Sequence, residues 1–529
     1  MSGTEKNNNF DTIIERKNTD SFKWDMIIKL YGEDVLPMWV ADMDFKSPER
    51  VINAIIKRAE HGVFGYTFRS NDYYNAIVEW YKKSYNLEIQ KEWIVNGPGV
   101  VPMIAFLINI FTLPGDKVII QPPVYPPFFR VVMNNGRHLV ENRLILKDGK
   151  WVMDYESLEK SINNRTKMIV ISNPHNPVGR VWTFEELEKL YDIAKKYDLI
   201  IVSDEIHADI VYEPSVFTSF LKVGTENVIV LNSPGKTFNI AGLTNSYGII
   251  PDKTLRQAYK NYMQSLELLT GNVLSIEALK AAYKCDEWVT NLRSYLKSNR
   301  DFAYQFIKEH MPLINPTLPE GTYLMWLDCS KLELENPQKF FLEHAKVYLN
   351  DGAEFGDSQS VRLNFACPKA LLEEGLRRMK NAYDKLLTVE HFTLPDKRFE
   401  ECKKIRREVF IIGQGIDERI ELDGRDEQAI HFLVRHFGKY IATARIRDIG
   451  DHWKVERVAV LKEFRGLGYG KKIMEAIEDY IKKTNPKPIT LNAQLEVKKF
   501  YEKLGYKPVG HVFHEAGIPH IKMEKVLEI

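Results

Sequence analysis

Cysteine is scarce in this chain, and what little there is has no pattern. Four cysteines (Cys285, Cys329, Cys367 and Cys402) stand in 529 residues, and no pair has the short spacing of a zinc or iron–sulfur motif. A disulfide-stapled scaffold is excluded, and reduced thiols in a cytoplasmic protein are expected. No segment approaches the roughly 18 unbroken apolar residues of a membrane span. Charge of one sign is also missing. Lys and Arg number 73 against 72 Asp and Glu, a formal net charge of +1. That balance gives no basis for a nucleic-acid surface or an anionic membrane partner. The first ten residues are polar and Asn-rich, with no signal-peptide core. Residues 1–10 are therefore expected to be a disordered lead-in.

What is present is enough chain for about three domain-sized units. From about 46 to 280, strand-like and helical patterns alternate at short spacing, which predicts an α/β unit on a mostly parallel sheet. Ser47-Pro48-Glu49 reads as a capped helix start with Pro at the first position. The runs 117–120, 167–171 and 227–231 read as buried strands. Thr183 and Glu186 form a capping box opening a helix to about Tyr197. From 281 to 387 longer helices surround short strands near 322–327 and 361–365. Residues 388–398, with Pro395, read as a linker. Residues 399–529 then carry strands of their own (440–447, 455–461, 488–492) and helices at 468–483 and 495–504, enough for a separate domain.

Chemistry concentrates at strand ends. Lys236 lies in Ser233-Pro234-Gly235-Lys236-Thr237-Phe238-Asn239. Asp204 closes the apolar run Leu199–Ser203, and Asn176 sits in Asn173-Pro174-His175-Asn176-Pro177-Val178-Gly179. An amine, a carboxylate and an amide so placed meet the needs of pyridoxal phosphate (PLP). The amine forms a Schiff base, the carboxylate keeps the ring nitrogen protonated, and the amide contacts the ring oxygen. In an open α/β sheet, strand ends converge on one crevice. The turn Asn96-Gly97-Pro98-Gly99 enters a helix whose first amides, at Val100 and Val101, suit a phosphate. Ser233 could add a hydroxyl there, and Tyr125 could stack on the ring. Arg362 is a charge inside an apolar strand pattern, suited to bidentate capture of a substrate carboxylate or to a structural ion pair.

These residues sit among longer motifs. They include Leu36-Pro37-Met38-Trp39-Val40-Ala41-Asp42-Met43-Asp44-Phe45, Phe64-Gly65-Tyr66-Thr67 and Ser203-Asp204-Glu205-Ile206-His207. Others are Lys236-Thr237-Phe238-Asn239-Ile240-Ala241-Gly242-Leu243, Gly271-Asn272-Val273-Leu274-Ser275 and Pro319-Glu320-Gly321-Thr322-Tyr323-Leu324. Residues 11–387 thereby resemble the MalY/PatB type of cystathionine β-lyase, in the fold-type-I PLP-dependent aminotransferase superfamily. The resemblance implies a large subdomain (about 46–280) and a small one (11–45 and 281–387). It implies that Lys236 carries the cofactor and moves the α-proton, that Asp204 pairs with the ring nitrogen, and that Asn176 contacts the ring oxygen. Tyr125 would stack, and Ser233 with the Val100 and Val101 amides would hold the phosphate. Arg362 would bind the substrate carboxylate. Tyr66 would reach the phosphate of a neighbouring subunit, implying a homodimer with shared sites.

Two positions depart from the common aminotransferase pattern. His207 stands where many members carry Tyr, and Thr244 stands where many carry a phosphate-binding Arg. The implied reaction is β-elimination from cystathionine or an S-substituted cysteine, giving thiol, pyruvate and ammonia. The site residues alone do not separate elimination from aminotransfer; a regulatory role exerted through protein contacts is a further alternative, and intact Lys236, Asp204 and Arg362 argue against a purely structural one.

A second motif, Arg465-Gly466-Leu467-Gly468-Tyr469-Gly470, follows the strand-like run 457–461 and opens a helix. Glycines at a helix N-terminus suit a pyrophosphate. With Asn492-Ala493-Gln494 and Phe500-Tyr501-Glu502-Lys503-Leu504-Gly505-Tyr506, residues 399–529 resemble the GNAT N-acetyltransferases, an α/β acyltransferase fold. The resemblance places acetyl-CoA on the amides of Arg465, Gly466, Gly468 and Gly470, with the Val460 amide near the thioester and Asn492 on the cofactor arm. Tyr501 would protonate the departing thiolate. Glu456 could take the amine proton, or simply be a surface carboxylate. His511, His514 and His520 have no established ligand spacing, so no metal is expected. The acceptor amine is unspecified, and a degenerate CoA-binding module is the alternative.

Overall fold

A computed structural model describes residues 9–436 and 439–527. The chain divides between Lys380 and Asn381 into two compact units. In the first unit, seven strands form one sheet: β1 (Ile94–Gly97), β2 (Lys117–Ile120), β3 (His138–Glu141), β4 (Thr166–Ser172), β5 (Ile200–Asp204), β6 (Val228–Asn232) and β7 (Ser246–Ile249). Their spatial order is β1-β7-β6-β5-β4-β2-β3. Neighbours from β6 to β3 run parallel, while β7 is antiparallel to both β1 and β6. The sheet is mixed, with a parallel body. Its central strands are continuous Val/Ile runs because both faces are covered. Val118, Ile120, Val170, Val202, Ile229 and Leu231 are buried against Met103 and Leu107 of helix α1 (Val100–Phe111). A smaller sheet in the same unit pairs β8 (Leu324–Asp328) with β9 (Ser360–Asn364), antiparallel.

The capping box is present. Thr183 and Glu186 satisfy each other's backbone amides at the start of the helix Phe184–Lys196. Thr183→Ala should lower unfolding stability by about 1 kcal/mol, seen as a shifted denaturant midpoint at unchanged slope; no shift would deny the cap its role.

Three expectations are corrected. Ser47 is not a helix cap: Pro48 holds that position before Glu49–Glu60, and the Ser47 hydroxyl instead donates to the Asn239 carbonyl at 3.1 Å. Of the expected lead-in, residues 1–8 lie outside the described residues, but Phe10 is buried among the rings of Phe45, Trp288 and Tyr295. Residues 388–392 are no linker. They belong to strand β10 (Leu387–Phe392), the edge of the second unit's sheet, paired over its length with β11 (Ile430–His436).

That sheet continues with β12 (Lys439–Asp448), β13 (Trp453–Val460), β14 (Ile489–Gln494), β15 (Lys507–Glu515) and β16 (Ile518–Lys525), in the order β10-β11-β12-β13-β14-β16-β15. Helix α2 (Tyr469–Thr484) buries Ile473, Met474, Ile477 and Ile481 at helical spacing. No helix among the described residues is long and apolar enough to cross a membrane.

Candidate functional site

Parallel pairing brings the first site's residues to one edge of the sheet. Ser172 of β4 pairs with Asp204, and Asp204 with Leu231 of β6. Asn176 and Lys236 follow β4 and β6 within a few residues. Strand β1 runs the same way as β6, since β7 opposes both, so the start of α1 opens on the same edge. Its first amides, at Val100 and Val101, have no partner within the helix, and Pro102 has no N–H.

Lys236 is half-buried, and its Nζ donates to the Ala41 carbonyl at 2.6 Å. Burial disfavours the ammonium and lowers its pKa to about 8; Asp42 and Asp204 oppose that shift, and Arg362 adds to it. Burial pushes Asp204 up to about 7 against the Ile206 amide, 3.1 Å away, and against the Lys236 charge. The amine and the carboxylate therefore share one site. The sign gives a test. In cofactor-free protein, labelling of Lys236 by an amine-acylating reagent should rise through a midpoint near pH 8, because the neutral amine reacts. A midpoint at the usual lysine value, roughly 10.4, would contradict the burial argument.

Arg362, on β9, donates from Nη1 to Asn176 Oδ1 at 2.8 Å and from Nη2 to the Trp39 carbonyl at 3.1 Å and Asn350 Oδ1 at 2.5 Å. Its Nε is buried without a hydrogen-bond partner, and the guanidinium lies over the Phe355 ring at 4.8 Å. Burial lowers its pKa to about 10. No carboxylate among the described residues forms an ion pair with it, so the structural ion-pair alternative fails. A buried guanidinium is stabilised when an anion pairs with it. The bond to Asn176 Oδ1 leaves that amide's NH2 as the group to contact a ring oxygen. Tyr125 is held close enough to both Arg362 and Asp204 to feel their charges. His207 is buried, its pKa held well below the usual range by desolvation, with Nδ1 unpartnered; it is a neutral imidazole edge-on to Tyr323.

One residue is placed otherwise than expected. The Ser233 hydroxyl gives its one proton to the Asn245 carbonyl at 2.6 Å and accepts from the Gly235 amide at 3.0 Å. Its phosphate-donor role does not fit this arrangement; it fixes the loop after β6. Tyr66, expected to serve a neighbouring subunit, is fully exposed, as are Phe64 and Phe68.

The residues present suit PLP. The buried Asp204 carboxylate forms no ion pair among the described residues, which a protonated ring nitrogen would supply, and His207 Nδ1 and Arg362 Nε are buried without hydrogen-bond partners. The Ala41 carbonyl and Asp42, which set the position and charge of Lys236, were not singled out from sequence. A main-chain carbonyl leaves no residue-type signal.

In the second unit β13 and β14 pair in parallel only from Trp453–Val455 to Ile489–Leu491. Beyond that they diverge, each bonded to its outer neighbour. A cavity of about 760 Å³ lies along the split. It is lined by Val460, Arg465, Gly466, Gly468, Gly470, Asn492 and Tyr501, so the expected residues converge. Gly466 (φ 76°) and Gly468 (φ 87°) adopt left-handed backbone that glycine takes without strain. Arg465 Nε donates to the Val460 carbonyl at 3.0 Å, and Asn492 Nδ2 to Glu515 Oε2 at 3.1 Å. A glycine loop at the head of α2, opening on a split sheet, is the shape a CoA pyrophosphate and arm require. Burial raises the Tyr501 pKa, keeping the phenol protonated as an acid must be.

Glu456 is corrected. It is neither a surface carboxylate nor a base. It accepts from Arg447 at 2.8 and 2.9 Å and from Arg445 at 3.1 Å. Those arginines outweigh its burial and hold its pKa at about 2, far too low to take up an amine proton efficiently near neutrality.

Comparison with known proteins gives a family match for each unit. Residues 33–379 match the aminotransferase class I and II family, and residues 394–527 the acetyltransferase (GNAT) domain. Cystathionine beta-lyase PatB of Bacillus subtilis (strain 168) is 38% identical over 384 residues, covering 71% of this chain and 99% of the relative. Cystalysin from Treponema denticola, solved with a pyridoxal 5'-phosphate cofactor, superposes with a TM-score of 0.69 at 35% identity, covering 72% and 99% of the two chains. A PLP-bound C-S lyase from Staphylococcus hominis gives a TM-score of 0.68 at 34% identity, covering 72% and 98%. The chain belongs to the aminotransferase class I and II family and carries a GNAT acetyltransferase domain at its C-terminal end.

Proposed function

We propose that the protein is bifunctional: a PLP-dependent carbon–sulfur lyase joined to an acetyl-CoA-dependent N-acetyltransferase. The observation that carries the first half is the meeting of Lys236 and Asp204 with a buried Arg362 that lacks a carboxylate partner. Support for lyase chemistry comes from relatives that are themselves named cystathionine β-lyases or C-S lyases.

Lys236, Asp204, Asn176, Tyr125 and the Val100 and Val101 amides would hold PLP, which when bound supplies an electron sink for the substrate's α-carbon. Arg362 binds the α-carboxylate and so fixes which face of the substrate meets Lys236. The Lys236 amine, neutral near pH 8, takes the α-proton onto Nζ. His207, uncharged, can donate one hydrogen bond without adding a cation to a site that already holds Arg362. Loss of the β-sulfur and hydrolysis convert cystathionine and water to homocysteine, pyruvate and ammonia. Homodimerisation would place exposed Tyr66 at a partner's phosphate, and the four buried thiols suit a cytoplasmic protein. Assay with cystathionine tests the reading: pyruvate formation sustains it.

In the second half Tyr501 protonates the departing thiolate. Tyr501→Phe should slow acetyl transfer to an amine panel by roughly 100-fold or more, the usual span for losing a general acid, with acetyl-CoA affinity retained. Unchanged turnover would remove Tyr501 from the chemistry.

A further inference from the structure

The reading above leaves the acceptor amine unspecified. The cavity's charges narrow it, and the narrowing rests on that reading. Strand β13 ends shortly before the glycine loop, so its beginning lies toward the other end of the cavity. Lys454, Glu456 and Arg457 line that end, with Glu421 and the apolar Phe410 and Ile420 from the segment before β11.

Behind them runs a buried ionic network. Arg406 binds Glu421 at 2.6 Å and Asp426 at 2.7 Å. Arg445 binds Asp423 at 2.6 Å, Asp426 at 2.9 Å and Glu456 at 3.1 Å. Arg447 binds Glu456 at 2.8 Å, and Arg457 binds Glu421 at 2.9 Å. With Lys454, 3.5 Å from Glu456, these are five cations around four carboxylates.

The surplus positive charge falls at the cavity wall. Lys454 has the longest contact of the cluster to Glu456. Arg457 reaches its second carboxylate, Asp423, only at 3.6 Å. Arg457 also sits at φ 55°, at the bulge where β12 and β13 shift register. A non-glycine residue held there is the kind of local strain that accumulates at ligand-binding positions.

We propose that the acceptor is an α-amino acid, its carboxylate held by Lys454 and Arg457 and its amine presented to the thioester. A partly buried cation surplus is costly until an anion joins it. An amine without a carboxylate supplies none. Phe410, Ile416 and Ile420, with the mutually bonded amides of Gln414 and Gln494 (3.1 and 3.0 Å), also line the cavity and suit an uncharged side chain. In the transfer the amine nitrogen forms a bond to the acetyl carbon, the carbon–sulfur bond breaks, and CoA leaves as the thiol while the nitrogen loses one proton.

The test uses full-length protein carrying Lys236→Ala, so that the first unit leaves the probes intact. Acetyl transfer is measured to S-methyl-L-cysteine, its methyl ester, and 2-(methylthio)ethylamine. The free acid should exceed both others by at least tenfold in kcat/KM. Arg457→Gln and Lys454→Met should each remove most of that margin by raising KM for the acid and leaving the ester unchanged. Equal use of the three, or equal losses for acid and ester, overturns the proposal. Lys454 is half-exposed, so its variant serves if Arg457→Gln does not fold. If no amine is acetylated, the acetyltransferase reading itself falls. Calorimetry on the CoA-loaded protein then still decides the carboxylate site. N-acetyl-S-methyl-L-cysteine binding at least tenfold tighter than its methyl ester, and losing that margin in Lys454→Met, sustains it; equal binding overturns it.

Discussion

Lys236→Ala should abolish pyruvate formation from cystathionine, by at least about 1,000-fold in kcat, within the roughly 100- to 10,000-fold span of a lost general base. Two roles end together, since the same Nζ is the covalent anchor for the cofactor and the acceptor of the α-proton. Alanine fills less space than the half-buried lysine and removes a charge that stabilises ionised Asp204, so the Asp204 pKa should climb further. The fold should survive, because the Lys236 amine is held by one hydrogen bond to Ala41 and not by a network. Added small primary amines should restore a fraction of the rate. Retained activity without any added amine would remove Lys236 from the mechanism.

The second large effect is expected at Arg362. Arg362→Ala should raise KM for cystathionine about 10- to 100-fold, since a hydrogen bond to a charged group is worth roughly 1.5–3 kcal/mol and each 1.4 kcal/mol is tenfold. PLP absorbance should remain, because Arg362 is hydrogen-bonded to neither Lys236 nor the α1 amides. The lesser consequence is local. Asn176 and Asn350 each lose a donor, and the ring of Phe355 loses its cation. If cofactor occupancy collapses while KM for the residual enzyme is normal, the guanidinium is a strut and not a carboxylate receptor.

Much of this was legible because strands announce their own ends. Apolar runs at 167–171 and 199–203 stop at polar residues, and parallel pairing then sets those residues side by side. The errors share a different cause, which is that residue type leaves partners open. Ser233 has a hydroxyl that could serve a phosphate, yet the Asn245 carbonyl claims its proton. Glu456 reads as a base or a surface carboxylate until the antiparallel register of β12 and β13 brings Arg445 opposite it. Residues 388–392 mix polar and apolar side chains and precede a proline, so they read as a link. They are an edge strand, one flank solvated, and only pairing with β11 reveals it.

The central claim is that Lys236, Asp204 and Arg362 carry out elimination at a β-carbon–sulfur bond. It is tested most directly by the products formed from L-cystathionine with the PLP-loaded full chain. The account expects homocysteine, pyruvate and ammonia in equal amounts, with no other amino acceptor required. A keto acid retaining the thioether, formed without ammonia and only when an amino acceptor is supplied, would contradict it.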